Sequence, residues 1–339
     1  DSDDLDLVCE LSSKFSIPYF TKEVNGEEYH NVMGCRTRLN SNWTGDPNTD
    51  CLRTGNLAYI SLNLPRYALK GNFWEQLDHA MNVATEVLLI RKEHGLKLME
   101  KKSLMPFLAQ RDKDGNRYYG VENATLSFGI VGLSDALRIL TGEGLENKAS
   151  RKLGHQIMQY INDKAKVLQN ETGDRWTILQ SPAESTAGRF AMEDRRKYGK
   201  RAPVHGNTGG YYYTNSSHVD SDAELNLIER VLAEQNFHKE TSGGHIFHGF
   251  LGERWTEGAL ANFTKKLINS SNLGFWTTTA VYSVCPQEHI VLPGAQFKCP
   301  SCETPTEVYD RITGYMQRVS GWNKSKQEEF KDRRRYFED

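Results

Sequence analysis

Three cysteines and a histidine near the C-terminus have the types and spacing of metal ligands. His289 follows Cys285 by four positions, and Cys299 and Cys302 follow with two residues between them. Sulfur and imidazole nitrogen are preferred zinc ligands, and two such pairs joined by a short hairpin can converge on one tetrahedral ion. Four protein ligands close the shell, so a structural zinc site is predicted. Glu288 competes with His289 as the fourth ligand, and reduced thiols without a metal are the other interpretation.

A glycine and a second cysteine stand in short motifs that could also carry chemistry. Gly314 lies in RITGYM, twelve residues after Cys302, and Cys35 lies far upstream in NVMGCRTRL. Taken alone, Gly314 is explained by a turn with positive φ, and Cys35 by a small core side chain. Gly34 would allow a tight loop that carries Cys35.

The stretch SPAES, residues 181–185, has two interpretations. Ser181 as N-cap, Pro182 at the first helical position and Glu184 at the third would form a capping box. Alternatively, the free N–H groups of a helix start, with Ser185 and Thr186 nearby, could bind the phosphates of a nucleotide.

Two histidines further along, His245 and His248 in GGHIFHGF, are three positions apart. In a strand this spacing places them on opposite faces, so a shared metal is not expected.

Composition narrows the class of protein. The 339 residues include 42 Lys and Arg against 44 Asp and Glu, with a formal net charge of −2. No strong field attracts nucleic acid or an anionic membrane, and neither partner is expected. There is no apolar run long enough to span a bilayer and no secretory signal, so a soluble, cytoplasmic protein is predicted. The missing initiator Met suggests a fragment, and the uneven spacing of the six cysteines argues against a disulfide framework.

Periodicity predicts an α/β protein with a largely parallel sheet, because strands and helices alternate. Helical patterns cover 73–100, which is the clearest, and 144–168, 222–236 and 256–270. Segments rich in β-branched and aromatic residues predict strands at 57–64, 126–133, 176–179, 210–216, 243–251 and 274–284. From about residue 285 the composition of the chain changes, and a small appended module is predicted there.

The ordered set of motifs resembles the anaerobic (class III) ribonucleoside-triphosphate reductases, a family of glycyl radical enzymes. The similar pieces are MGCRT with GNLAYISLNLPR, SPAES, YYYTNSSHV, SGGHIFHGFLGE, the Cys/His pairs, RITGYM and WNKSKQEEFKDRRRY. The resemblance covers essentially the whole chain, although RITGY alone would also fit formate lyases and diol dehydratases.

This resemblance implies a fold and a set of roles. The fold would be the second half of a ten-stranded α/β barrel, with a stored radical on Gly314 and a thiyl radical on Cys35. Cys35 must then give up a hydrogen atom, so it should be a neutral thiol, with the Arg36 guanidinium turned away toward a carboxylate or phosphate. Glu184 would act on the ribose, and Asn56 matches an asparagine of members that use formate, although a strand asparagine can be structural.

The resemblance also implies partners. The radical on Gly314 would be made by an activase that uses S-adenosylmethionine and an iron–sulfur cluster. The substrate would be a ribonucleoside triphosphate, the reductant formate or a thioredoxin-like protein, and the assembly a homodimer. Full-length members are far longer, so a separately supplied N-terminal half is expected.

The predicted division is a barrel portion with the Cys35 loop at 1–280, a zinc module at 281–303, and the radical loop and tail at 304–339. Two other functions remain open: a different glycyl radical enzyme, such as a lyase or dehydratase, or an inactive zinc-stabilised fragment.

Overall fold

The computed structural model describes residues 2–23, 32–39, 53–101 and 104–338. Its helices are α1 (Ser2–Phe15), α2 (Leu64–Lys70), α3 (Phe73–Glu100), α4 (Leu133–Thr141), α5 (Lys148–Thr172), α6 (Thr186–Tyr198), α7 (Leu227–Glu234), α8 (Phe237–Glu240), α9 (Glu257–Ser270) and α10 (Lys324–Asp332). None of the helices in these ranges is long and apolar enough to cross a membrane.

The strands alternate with these helices through most of the chain. They are β1 (Phe20–Thr21), β2 (Val32–Met33), β3 (Thr37–Arg38), β4 (Asn56–Asn63), β5 (Thr125–Val131), β6 (Arg175–Gln180), β7 (Phe247–Leu251), β8 (Phe275–Ala280), β9 (Tyr282–Val284), β10 (Val291–Pro293), β11 (Glu307–Arg311) and β12 (Met316–Arg318).

The parallel strands form two groups that follow each other along the chain. β4, β5 and β6 pair in parallel, as do β7 and β8, while β1 joins β8 antiparallel. Two backbone hydrogen bonds link the two groups: Gly243 N donates to Ile178 O at 2.7 Å, and Gln180 N donates to Gly244 O at 3.1 Å. The predicted α/β class with a parallel sheet is confirmed, whereas closure into a ten-stranded barrel stays a prediction.

The two faces of this sheet differ in chemistry. One face is apolar and packs on the crossover helices; Phe128 and Trp176, for example, stack with ring centroids 5.5 Å apart in the core beneath α3 and α5. The opposite face carries buried hydroxyls, and Ser127 Oγ lies 2.7 Å from Thr177 Oγ1. Parallel strands that are covered on both sides are usually apolar on both. The polar face therefore indicates where the chemistry is located.

The C-terminal region forms a second sheet, in the order β10-β9-β11-β12 and antiparallel throughout. It takes strands from both the 281–303 and the 304–339 segments. The β11–β12 hairpin turns at residues 312–315, where Ile312 N donates to Tyr315 O at 3.1 Å. Gly314 therefore sits in the tip of a short hairpin.

Several predicted elements are shifted or wrong. Helix 73–100 is confirmed, but the predicted strand at 210–216 is irregular apart from one bridge between Tyr212 and His205. Two tyrosines of this segment make side-chain hydrogen bonds to helices: the Tyr212 hydroxyl donates to Asp332, and the Tyr213 hydroxyl donates to Asp194. Segment 274–284 divides into β8 and β9, and the helix expected at 222–236 covers only α7.

Two helical glycines provide a matched test of how α10 docks. A Cβ on buried Gly188 of α6 would lie 2.2 Å from Ser325 Oγ of α10, whereas a Cβ on exposed Gly258 of α9 would meet nothing within 4 Å. Gly188→Ala should lower the free energy of unfolding by about 1–3 kcal/mol through overpacking. Gly258→Ala should raise it by up to about 1 kcal/mol, since alanine favours helix. Urea denaturation measures both, and equal effects would contradict this packing.

Candidate active site and metal centre

The Cys35 loop meets the Gly314 turn at the centre of the candidate site. Cys35 lies at the tip of the β2–β3 hairpin, after Gly34, which has φ of 59°. The Cys35 sulfur is 2.0 Å from the position that a Cβ would take on Gly314, and the Cys35 Cβ is 2.4 Å from that position. Any side chain at 314 would collide with Cys35.

This contact, and not a turn with positive φ, explains why residue 314 is a glycine. Gly314 does not have a positive φ, so conformational freedom in the turn is not what requires it. Close approach requires it, because only a residue without Cβ lets the thiol reach the backbone. One Cα–H bond of Gly314 points at the sulfur, since a Cβ would lie along that direction.

Gly243 and Gly244, between β6 and β7, contact the backbone of the Cys35 loop. A Cβ on Gly244 would lie 1.8 Å from the carbonyl oxygen of Arg36, so the two backbones are in direct contact. Arg38 N also donates to Gly243 O at 2.9 Å. The loop is therefore anchored to the same segment, between β6 and β7, that links the two groups of parallel strands.

The Arg36 side chain turns toward the polar face of the sheet. Its Nη1 donates to Gln180 Oε1 at 2.8 Å, and the amide nitrogen of Gln180 donates to His218 Nε2, also at 2.8 Å. Nδ1 of His218 then donates to Glu234 Oε2 at 2.8 Å, which sets the tautomer of the ring. The expected carboxylate or phosphate partner of Arg36 is thus replaced, among the described residues, by a neutral amide.

SPAES does not form the predicted capping box. Helix α6 begins at Thr186 with Ser185 as N-cap, and the Ser181 hydroxyl instead lies 2.8 Å from Ser61 Oγ on β4. Ala183 has φ of 50°, which interrupts helical geometry before α6 starts. The predicted capping box is wrong because the chain leaves β6 through a turn with positive φ at Ala183 before the helix begins.

The Glu184 carboxylate that this turn presents reaches the glycine hairpin. Thr313, the residue before Gly314, donates its hydroxyl hydrogen bond to Glu184 Oε1. The backbone carbonyl of Glu184 also accepts from Asn323 Nδ2 at 2.9 Å. Glu184, Gly314 and Cys35 are therefore brought together, although they lie far apart in sequence.

Asn56 lies at the start of β4 on the polar face. Its amide nitrogen donates to Thr125 Oγ1 at 2.9 Å and to Ser127 Oγ at 2.6 Å, so it has a structural role within the sheet. The preceding Gly55 approaches the Cys35 loop, because a Cβ there would lie 3.2 Å from Met33 Sδ. A cleft of about 740 Å³ runs along β4 to the start of α6, lined in part by Asn56, Ser61, Thr186 and Arg189.

The prediction that His245 and His248 face opposite ways is wrong. Their ring centroids lie 5.6 Å and 5.9 Å from that of His218, so both approach one side chain. Alternation does not apply because β7 begins only at Phe247, after His245. Burial lowers the pKa of both rings well below the usual histidine value, so they are neutral.

Two arginines that the sequence did not single out hold the glycine hairpin. Arg333, in the tail, is buried and donates to Arg311 O at 2.7 Å, to Ile312 O at 3.0 Å and to Asp310 Oδ2 at 3.1 Å. Arg311 itself donates to Thr279 Oγ1 at 2.8 Å on β8. No local sequence pattern reveals these long-range contacts.

The four predicted metal ligands converge. One ligand atom each from Cys285, His289, Cys299 and Cys302 lies within 4.8 Å of the others. Cys285 Sγ is 3.7 Å from Cys302 Sγ and 3.8 Å from His289 Nδ1. A tetrahedron with metal–sulfur bonds of about 2.3 Å has edges of about 3.8 Å, so this donor set fits one tetrahedral ion. Glu288 is not in the group and occupies a turn position with φ of 59°.

Comparison with solved structures identifies the class of fold. The whole chain superposes on 53% of an anaerobic ribonucleotide reductase, with a TM-score of 0.78 at 22% sequence identity. A second match covers 97% of this chain and 53% of the anaerobic ribonucleotide reductase of Thermotoga maritima with glycerol in the active site, with a TM-score of 0.74 at 23% identity. The fold is that of this class of reductase.

Sequence comparison then gives the family. The sequence model of anaerobic ribonucleoside-triphosphate reductase matches residues 1–336, and the chain belongs to that family, as its motifs predicted. The Haemophilus influenzae relative is 26% identical over 306 residues, and that of Enterobacteria phage T4 is 30% identical over 233. These alignments cover 82% and 63% of this chain but only 42% and 36% of the relatives, so the chain spans less than half of their length.

A double-mutant cycle tests the contact between Cys35 and Gly314 without any radical. Gly314→Ala should lower the free energy of unfolding by about 1–3 kcal/mol, because the new Cβ meets the Cys35 side chain. In a Cys35→Gly background the same change should cost at least about 1 kcal/mol less. Urea unfolding of the four proteins gives the coupling. Gly258→Ala with Cys35→Gly should be additive, and additivity for the Gly314 pair as well would refute the contact.

Proposed function

We propose that this chain carries the radical-bearing part of an enzyme that reduces ribonucleoside triphosphates to 2′-deoxyribonucleoside triphosphates. Family membership supplies the reaction class. The observation that carries the proposal is the approach of the Cys35 sulfur to within 2.0 Å of the Cβ position of Gly314. Hydrogen-atom transfer needs its two heavy atoms in contact, and this pair satisfies that requirement.

Gly314 is the proposed radical store. Removal of one hydrogen atom leaves an unpaired electron on the α-carbon, shared with the amide nitrogen and the carbonyl when the centre flattens. A side chain would obstruct that planarity, and glycine has none. The steric demand of Cys35 and the electronic demand of the radical therefore select the same residue type.

Cys35 is the proposed thiyl residue. In the transfer its S–H bond breaks, a C–H bond forms at the α-carbon of Gly314, and the unpaired electron moves to sulfur. No net charge moves, so the reactive form is the neutral thiol rather than the thiolate of nucleophilic cysteines.

Glu184 is the proposed carboxylate that accepts a ribose hydroxyl proton during radical-driven loss of water. Its hydrogen bond with Thr313 supports the assignment, since the carboxylate then lies beside the radical residue. Ser181, Ser185 and Thr186 would bind the triphosphate at the start of α6, where free N–H groups favour anions.

Positive charge at the start of α6 supports a nucleotide substrate. Arg189 lies there together with Thr186. The Thermotoga maritima reductase, which shares the fold, has been crystallised in complex with dATP and CTP.

The metal centre is proposed to hold structural zinc. Cys285, His289, Cys299 and Cys302 would close its shell, so the ion would cross-link the segments rather than take part in the reaction. β9 and β11 are paired, so the ion would stiffen the base of the hairpin that carries Gly314.

The remaining partners are proposals drawn from the family. They are an activase that uses S-adenosylmethionine and an iron–sulfur cluster, a second subunit in a homodimer, and formate or a thioredoxin-like protein as reductant. A separate N-terminal half is supported by the position of β4 at the edge of the described sheet, because a free edge of eight residues favours pairing with another strand.

Electron paramagnetic resonance after anaerobic activation tests the radical, using the chain together with its N-terminal half. A doublet should form, and Gly314→Ala should abolish it. Cys35→Ser should keep the doublet but abolish deoxyribonucleotide formation. Air should cut the activated chain at Gly314 and release residues 315–339, which mass spectrometry would detect. Product formation by either variant would refute the assignment.

Metal analysis tests the zinc site. The purified chain should contain one zinc ion, and Cys302→Ser and Cys299→Ser should lose most of it and unfold at lower urea concentration. His289→Gln should weaken retention against a chelator, whereas Glu288→Gln should not. Cys9→Ala serves as the control for removing a cysteine elsewhere. Equal retention in the His289 and Glu288 variants would overturn the ligand assignment.

A further inference from the structure

The carbonyl of Gly314 is the acceptor of a hydrogen bond from far upstream in the chain. The hydroxyl of Tyr19 donates to Gly314 O. Nη1 of Arg311 donates to the Tyr19 oxygen at 2.5 Å and also lies 3.4 Å from Gly314 O. A phenol and a guanidinium therefore converge on one peptide oxygen beside the Cys35 sulfur.

We propose that Tyr19, held by Arg311, is a positioning residue that tunes the radical centre through the Gly314 carbonyl. The inference rests on the proposed radical function of Gly314. Its physical content is that a hydrogen-bond donor on this oxygen stabilises the electron distribution in which the radical is shared with the carbonyl. The same donor fixes the peptide plane, so that a Cα–H bond stays directed at Cys35.

Tyr19 is held on several sides. Its ring stacks on Phe275 of β8 with centroids 5.3 Å apart, and the Arg311 guanidinium carbon lies 4.8 Å from the ring centroid. Arg311 is in turn fixed by Thr279 Oγ1 at 2.8 Å and by Ser16 O at 2.5 Å. A donor fixed before the reaction loses little rotational freedom when charge shifts onto its acceptor.

The protonation states suit a donor. Burial raises the pKa of Tyr19 above its usual value, and the charge of Arg311 offsets this only in part, so the phenol keeps its proton at neutral pH. That single proton goes to Gly314 O, and a lone pair of the Tyr19 oxygen accepts from Arg311. A hydrogen bond polarised by an adjacent cation is stronger than a neutral one.

Tyr19 is not needed as an electron carrier between the two radical residues. Cys35 already touches Gly314, so the hydrogen atom has no gap to cross. The role that remains for the tyrosine is to set the geometry and the energy of the glycine centre. This separates the proposal from one in which a tyrosyl radical forms.

The hydrogen bond can be measured without a radical. The chain contains only two Gly-Tyr pairs, Gly210–Tyr211 and Gly314–Tyr315. Labelling glycine with ¹³C at the carbonyl and tyrosine with ¹⁵N therefore gives two directly bonded signals, and Gly314→Ala assigns them. Tyr19→Phe should shift the Gly314 carbonyl upfield and leave the Gly210 carbonyl in place. An unmoved Gly314 signal would overturn the proposal.

The radical itself provides the second measurement. In the activated holoenzyme Tyr19→Phe should change the hyperfine splitting of the doublet and lower the radical yield on the order of tenfold, the loss of about one charge-assisted hydrogen bond. Replacement of Tyr19 by 3-fluorotyrosine keeps the hydroxyl and should restore the yield. If the ring had only a structural role, phenylalanine and 3-fluorotyrosine at position 19 would give the same yield. Tyr282→Phe, which removes a hydroxyl from the sheet that carries the Gly314 hairpin, is the control.

The outcomes separate the two hypotheses. Absence of a doublet in the unmodified enzyme refutes the radical function, whereas the carbonyl shift still reports on the hydrogen bond. A doublet with the same splitting and yield in the wild type and Tyr19→Phe refutes the tuning role alone. If Tyr19→Phe fails to fold, the 3-fluorotyrosine protein decides, because a more acidic phenol should alter the splitting while the ring is retained.

Discussion

The contact between a sulfur and a backbone α-carbon governs the arrangement of this molecule. Cys35 and Gly314 can meet only if both lie at the tips of tight turns and one of them has no side chain. Neither tip has enough local structure to hold its position to a fraction of an ångström. The β2–β3 hairpin has two-residue strands, and the turn at 312–315 is four residues long. Precision must therefore come from the elements behind the tips.

Arginine side chains supply much of that support. Arg36, Arg311 and Arg333 are each almost completely buried, and each donates to an amide, a hydroxyl or a backbone carbonyl near the site. The planar guanidinium offers five donors in a fixed geometry, so one side chain can tie several segments together. For Arg333 the cost of burying the charge is offset by these bonds and by Asp310, whose carboxylate accepts from Arg333 and Arg335. These hydrogen bonds tie together three loops from different parts of the chain.

The sequence predicted the parts of this structure that depend on local pattern. The apolar residues of helix α3 repeat with the helical period, and the spacing of the cysteine pairs predicted the convergence of Cys285, His289, Cys299 and Cys302. The capping box failed because Ser181, Pro182 and Glu184 suit a helix start in type, while the turn after β6 imposes φ of 50° on Ala183. The aromatic run at 210–216 failed because tyrosines favour strands and also favour buried hydroxyl contacts with helices.

Contacts between distant segments could not be predicted from pattern. The expectation that Cys35 and Gly314 act together came from the family resemblance, not from spacing. Tyr19 carries no motif at all, and its importance arises only because β1 pairs with β8 and so brings residue 19 beside Arg311. No motif marks Arg333 either, because its contacts with residues 310–312 are also long-range. Long-range geometry of this kind is set by the packing of whole elements, which no short window of sequence contains.

The glycine hairpin has to satisfy two opposed requirements. Under the proposed function Gly314 touches Cys35 for hydrogen-atom transfer, whereas the proposed activase would have to reach the same atom. The ladder between β11 and β12 and the pairing of β11 with β9 keep the base in place, with the metal ligands at the far end of that sheet. Near the tip the restraints are hydrogen bonds from Tyr19, Thr313 and Arg333, which water can replace one at a time. A base held by strand pairing and a tip held by a few hydrogen bonds would suit both requirements of the proposed function.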